Sequence, residues 1–271
     1  MKILKELSSI KSQKDIFAFL ADKQNKQEII REKKDVRKFT DSIFMPFIPD
    51  FLKEINSQKA AIELNEGEIM IVGNSVGFMD SHLDVSLRGS WTKTVKERGN
   101  RVPILKDHNY SVDSLFAENL GAFVMDVPIS SLGYKKSGGT EILGAKIKPN
   151  AEMLEKYQKG IVKEHSVGLQ YIKLALAIND PQDEEGYKEW LSNIDKVINR
   201  EVAEERGYFY PIYEQKLIEF SAVVFGSNPY TPAFSQDKSL EEIEPLQDTQ
   251  IVEPKEKEKQ LSFYQLLNQK L

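Results

Sequence analysis

From about residue 65 to residue 230 the chain repeats short apolar runs rich in β-branched side chains, each bounded by Gly, Asn or Pro. That texture confines it to a fold built on a sheet. EIMIVGNSVGF, RVPILKD, GAFVMDVPI and EILGAKI all read as strands. Pro149-Asn150 then opens AEMLEKYQKGIVKE, a helix over 150–164. Asn150 is its N-cap, Glu152 sits in the first turn, and Met153, Leu154, Tyr157, Ile161 and Val162 form one apolar face. HSVGLQYIKLALAI follows as a long strand, EEGYKEWLSNIDKVINREVAEE within 181–206 is acidic and helical, and YFYPIYEQKLIEFSAVVF returns to strand. No internal repeat is present; the two Ser-Val-Gly triplets are too short to count.

The flanks differ in kind. Residues 1–60 carry 13 Lys/Arg against 9 Asp/Glu. Ile3, Leu4, Leu7 and Ile10, then Ile16, Phe17 and Leu20, recur at helical spacing, until Pro46 and Pro49 break the pattern. This reads as a helical arm that packs on the core or on a neighbouring subunit, with nucleic-acid contact the minor alternative. Beyond Thr231-Pro232 the chain turns polar, and residues 235–271 hold 8 acids against 5 bases before the amphipathic end LSFYQLLNQKL. The expected division is a helical N-terminal arm over 1–60, a central domain over 61–232 and a flexible acidic tail over 233–271 with a terminal docking segment.

Composition narrows the function classes. A net charge of −5 gives no global basic field, so no specific nucleic-acid partner is expected. The absence of cysteine removes disulfides, thiolate metal sites and cysteine nucleophiles together, and suits a reducing cytoplasm. The N-terminus MKILKELSSIKSQKDIF is too charged for a signal peptide, and no apolar run approaches membrane-spanning length. A soluble protein made where it works is the expectation.

Histidine-based chemistry has three candidates, His82, His108 and His165. His82 lies beside Asp80 and Asp84, a set that suggests metal ligation but matches no recognisable ligand spacing, so a polar loop is preferred and no metal is expected. His165 adjoins Ser166 in a strand, where neighbouring side chains point to opposite faces, so it is badly placed to take that serine's proton. His108 ends the strand RVPILKDH, where a scaffold presents groups to solvent or simply holds a structural histidine. Ser166 itself is either an ordinary strand serine or a nucleophile held at a strand start. GNSVG at 73–77 formally matches the nucleophile elbow G-x-S-x-G, which requires strand–turn–helix. The following FMDSHLDVSLRGSW lacks helical periodicity, which favours Ser75 as a strand or bulge residue.

The order of motifs resembles a known family. Asp80-Ser81, Asp84-Val85 and Gly89-Ser90-Trp91 precede a strand ending in His108. A helix then leads into Ser166-Val167-Gly168, and Leu217-Ile218-Glu219-Phe220-Ser221 runs toward a turn at Asn228-Pro229. Over about 67–230 this resembles the prohead (procapsid maturation) serine proteases of tailed phages, related in fold to the herpesvirus assemblins. The resemblance implies an α+β fold with a closed, mostly antiparallel β-barrel flanked by helices. It implies Ser166 as nucleophile, His108 as general base and Glu219 as the third member, with backbone N–H groups near Gly226 and Ser227 as oxyanion hole. Gly168 is expected to let backbone approach the site closely.

It further implies a serine endopeptidase, without cofactor, acting on scaffold and major capsid protein inside a procapsid in the bacterial host cytoplasm, with self-cleavage as a further feature and a homodimer, as in assemblins, left open. A non-catalytic scaffolding protein of the same fold is the alternative. Three departures stand out: His165 replaces the usual small or apolar residue before the nucleophile, residues 180–210 look like an insertion between the last two strands, and the basic helical arm at 1–60 is longer than the family pattern leads one to expect.

Overall fold

A computed structural model of the chain describes residues 2–35, 38–39, 64–132, 134, 136–224 and 233–235. Seven α-helices and ten strands lie within them. The N-terminal arm forms α1 (Lys2–Ser9), α2 (Gln13–Ala21) and α3 (Lys23–Asp35), followed by the two-residue β1 (Lys38–Phe39). Then come β2 (Ile69–Ser75), β3 (Asp84–Ser86), α4 (Thr92–Arg98), β4 (Ile104–Lys106), β5 (Ala117–Pro128) and β6 (Gly139–Pro149). The series continues with α5 (Ala151–Gln158), β7 (Glu164–Leu174), β8 (Ala177–Ile178), α6 (Glu184–Asn193), α7 (Arg200–Arg206), β9 (Tyr208–Val223) and β10 (Ala233–Ser235).

The fold is α+β, as the strand runs and helical segments imply. Hydrogen bonding orders eight strands β1-β7-β9-β4-β5-β6-β2-β10, with β3 and β8 also paired to β9. The expected closed barrel is not formed, because the two ends of this path do not pair among the described residues. The reason lies at the edges. The outer edge of β7 is taken by β1 and that of β2 by β10, so neither is left to close the ring. The sheet curls instead by packing faces together. A Cβ added at Gly73 of β2 would lie 2.6 Å from the side chains of Val167 on β7 and Phe220 on β9. Only glycine permits that approach, and it occurs where β2 shifts register between Val72 and Asn74.

β9 is the spine. It pairs antiparallel with β7 and β8 on one side and parallel with β3 and β4 on the other. The segment DVSLRGSWTKT is fastened to it by side-chain bonds. Gln215 Nε2 donates to Ser86 Oγ (2.9 Å) and Ser90 Oγ (3.0 Å), and Leu217 N–H donates to Thr94 Oγ1 (3.0 Å). Asn150 caps α5 as expected, accepting from Met153 N–H at 3.0 Å, but the helix stops at Gln158, short of residue 164. The long strand expected after it breaks at Ala175-Leu176 into β7 and β8.

The 181–206 segment is helical and packs Trp190, Ile194, Val197 and Ala203 against Phe209, Val85 and Met79. Asn199 clamps the Met79 backbone, accepting its N–H at 2.8 Å and donating to its carbonyl at 2.9 Å. No helix among the described residues is long and apolar enough to cross a membrane.

The arm packs on this core: Leu20 of α2 and Ile29 of α3 are fully buried. Lys33 of α3 inserts its ammonium against the Asp84 carboxylate and 3.7 Å from the Tyr210 ring centroid, with Tyr171 Oη donating to the other Asp84 oxygen at 2.7 Å. Burial, reinforced by Asp84, pushes the Tyr171 hydroxyl's pKa up, which keeps it a donor. Both charged side chains are almost inaccessible (3% and 4%), so removing one strands the other. Lys33→Met should therefore lower stability by about 3 kcal/mol in urea unfolding. Lys93→Met, which breaks a largely exposed pair with Glu214, should cost about 0.5 kcal/mol or less.

Candidate functional site

Three adjacent strands, β7, β9 and β4, bring Ser166, Glu219 and His108 into one neighbourhood. In the antiparallel β7–β9 ladder, Ser166 stands opposite Ser221 and Gly168 opposite Glu219. Directly opposed residues share a face, as do residues two apart along a strand, so all four side-chain positions lie on one face. Val167 and Phe220, one residue on, project the other way into the core, where they meet Gly73 of β2. On the far side of β9, parallel β4 pairs Leu105 with Ser221 and Lys106 with Ala222. The chain then turns, Asp107 N–H donating to the Ala222 carbonyl at 2.9 Å, and delivers His108 to the same face.

A hydrogen-bond network joins His108, Glu219 and Ser221. His108 Nδ1 lies 2.6 Å from Glu219 Oε1. A carboxylate only accepts, so this pairing puts a proton on Nδ1, and in the neutral ring Nε2 is then the acceptor. Ser221 Oγ donates to Glu219 Oε2 at 2.7 Å and accepts the His108 backbone N–H at 3.0 Å. Ser166, Glu219 and Ser221 are 0% exposed, and the His108 side chain is 14% exposed. Asp107 and His108 both adopt left-handed backbone, with φ of 51° and 53°. Asp and His tolerate that region better than most residues, but two in succession store strain on the order of 1–2 kcal/mol.

Gly168 admits the carboxylate rather than backbone, which corrects the expectation drawn from sequence. A Cβ added there would lie 2.3 Å from Glu219 Oε1. Glycine two residues after Ser166 is therefore what lets a glutamate side chain lie across β7.

The remaining candidates sit elsewhere. His165, opposite Ala222, points away from this face and is buried against α5. Its ring stacks on Tyr157 at 5.6 Å between centroids, and Tyr157 Oη lies 2.7 Å from Nε2. Burial raises the Tyr157 hydroxyl's pKa, so the phenol is the donor and His165 Nε2 the acceptor. Ser75 ends β2 in a turn followed by a bridge between Met79 and Val85, and the next helix, α4, begins only at Thr92, so the elbow context is missing.

Asp80 turns its carboxylate onto the backbone N–H groups of His82 (2.8 Å) and Asp84 (2.9 Å), while Asp84 serves Lys33 and Tyr171. Among the described residues no group of three or more His, Asp or Glu is arranged to hold a metal ion. Gly226 and Ser227 lie outside the described residues.

Ser221 was given no role by sequence reasoning. The signal was present, since Glu-x-Ser in a strand places both side chains on one face. Gly168→Ala should cost about 1–3 kcal/mol in unfolding measurements by driving its methyl into Glu219. Gly139→Ala, whose nearest neighbour would be Val127 O at 3.5 Å, should stay within about 0.5 kcal/mol. Comparison of the chain with protein-family models, curated proteins and solved structures found no match.

Proposed function

We propose that the chain is a serine endopeptidase with Ser166 as nucleophile, His108 as general base and Glu219 as the group that orients and stabilises the imidazole. The observation that carries this reading is the 2.6 Å contact between His108 Nδ1 and Glu219 Oε1, formed by residues 111 positions apart on the same sheet face as Ser166. With the ring proton held on Nδ1, Nε2 takes the Ser166 hydroxyl proton as Oγ attacks a peptide carbonyl. The imidazolium then protonates the leaving amine, and an acyl-enzyme remains on Ser166. A water, deprotonated by the same Nε2, hydrolyses that ester and restores the serine. Glu219 stabilises the imidazolium without taking the proton itself.

The oxyanion hole at Gly226 and Ser227, the capsid and scaffold substrates, dimerisation, self-cleavage and the setting inside a procapsid rest on the family resemblance.

Co-expression with a cognate capsid protein carrying its removable extension tests this reading. The wild-type chain should trim the extension, Ser166→Ala should leave it intact, and Glu219→Gln should slow trimming by about 10³–10⁴-fold. Equal processing by wild type and Ser166→Ala contradicts the assignment. Stoichiometric binding without trimming by the wild-type chain would instead assign it a scaffolding role.

A further inference from the structure

We infer that Ser221 is a positioning residue that fixes both the carboxylate and the backbone of the base, an inference that rests on the catalytic reading of Ser166, His108 and Glu219. A serine hydroxyl has one proton to give and lone pairs to receive. Here the proton goes to Glu219 Oε2 at 2.7 Å, and a lone pair receives the His108 N–H at 3.0 Å. Each contact constrains a different freedom. The terminal torsion of a glutamate is broad, so the carboxylate plane has no strong preference of its own. By holding Oε2, Ser221 selects the rotation that presents Oε1 to His108 Nδ1.

The second contact acts on the main chain. Asp107 and His108 are consecutive left-handed residues, a conformation that persists only where surrounding bonds over-determine it. Asp107 N–H is held by a β9 carbonyl, but the hydrogen-bond acceptor for His108 N–H is the Ser221 side chain. One hydroxyl thus ties the imidazole to its carboxylate partner from both ends. The same commitment argues against Ser221 as an alternative nucleophile. Its proton is directed to a carboxylate, while Ser166 stands directly opposite across the ladder.

The labelling rate of Ser166 by a fluorophosphonate probe tests this in the full-length chain, with unfolding midpoints measured in parallel. Ser221→Ala should slow labelling by about 10²-fold, the size of loss expected from a misplaced base. Ser221→Thr, which keeps the hydroxyl, should restore the rate to within about threefold. The double variant Ser221→Ala/Glu219→Gln should label no more than about threefold slower than Glu219→Gln alone, because both substitutions disable one unit.

Wild-type labelling by Ser221→Ala, or multiplying losses in the double variant, overturns the role of Ser221 while leaving the catalytic reading standing. Loss in Ser221→Thr equal to that in Ser221→Ala also overturns it. No labelling of Ser166 even in the wild-type chain overturns the catalytic reading and this inference with it.

Discussion

A carboxylate with no solvent exposure in the middle of a sheet is a liability of several kcal/mol unless its oxygens are hydrogen-bonded. Glu219 is such a group, and much of the local architecture is explained by what it requires. One oxygen meets His108 Nδ1 and the other meets Ser221 Oγ. The space it occupies exists because residue 168 on the neighbouring strand has no side chain. The left-handed turn at Asp107-His108 is what brings the imidazole back over β9 rather than onward along β4. Each of these conditions would be costly alone, and together they describe a polar cluster held in a single arrangement.

That arrangement depends on strand order. Sequence-distant β7, β9 and β4 must be neighbours, with β4 parallel to β9 and β7 antiparallel to it. The long β9 serves as the template, and the polar side chains of Ser86, Ser90 and Thr94 pin the preceding loop and helix to it. The helical 181–206 segment props the Met79 loop through Asn199. The site is thus mounted on the most heavily paired strand in the structure, as precise positioning of polar groups demands.

Much of this was legible in local sequence. Asn150 announced the start of α5, and strand alternation separated His165 from Ser166 without knowledge of any partner. The candidate residues of the site were legible through the order of motifs, since no local rule links residue 108 to residue 219. What stayed hidden was non-local. Lys33 looks like one more charge in a basic helix, and only the packing of α3 reveals it buried on Asp84. Closure of the sheet is decided by which strands cap its edges, and the two- and three-residue strands β1 and β10 are too short to announce themselves. The purpose of Gly168 is legible only once Glu219 lies opposite it.

The most direct test asks which serine is activated and by what. Peptide mapping by mass spectrometry after fluorophosphonate treatment should find the adduct on Ser166 in the wild-type chain and lose it in His108→Ala. Replacing His165 by Phe, a ring that keeps the stack on Tyr157, should leave the adduct in place. An adduct on Ser75, or one on Ser166 that persists without His108, would contradict the account.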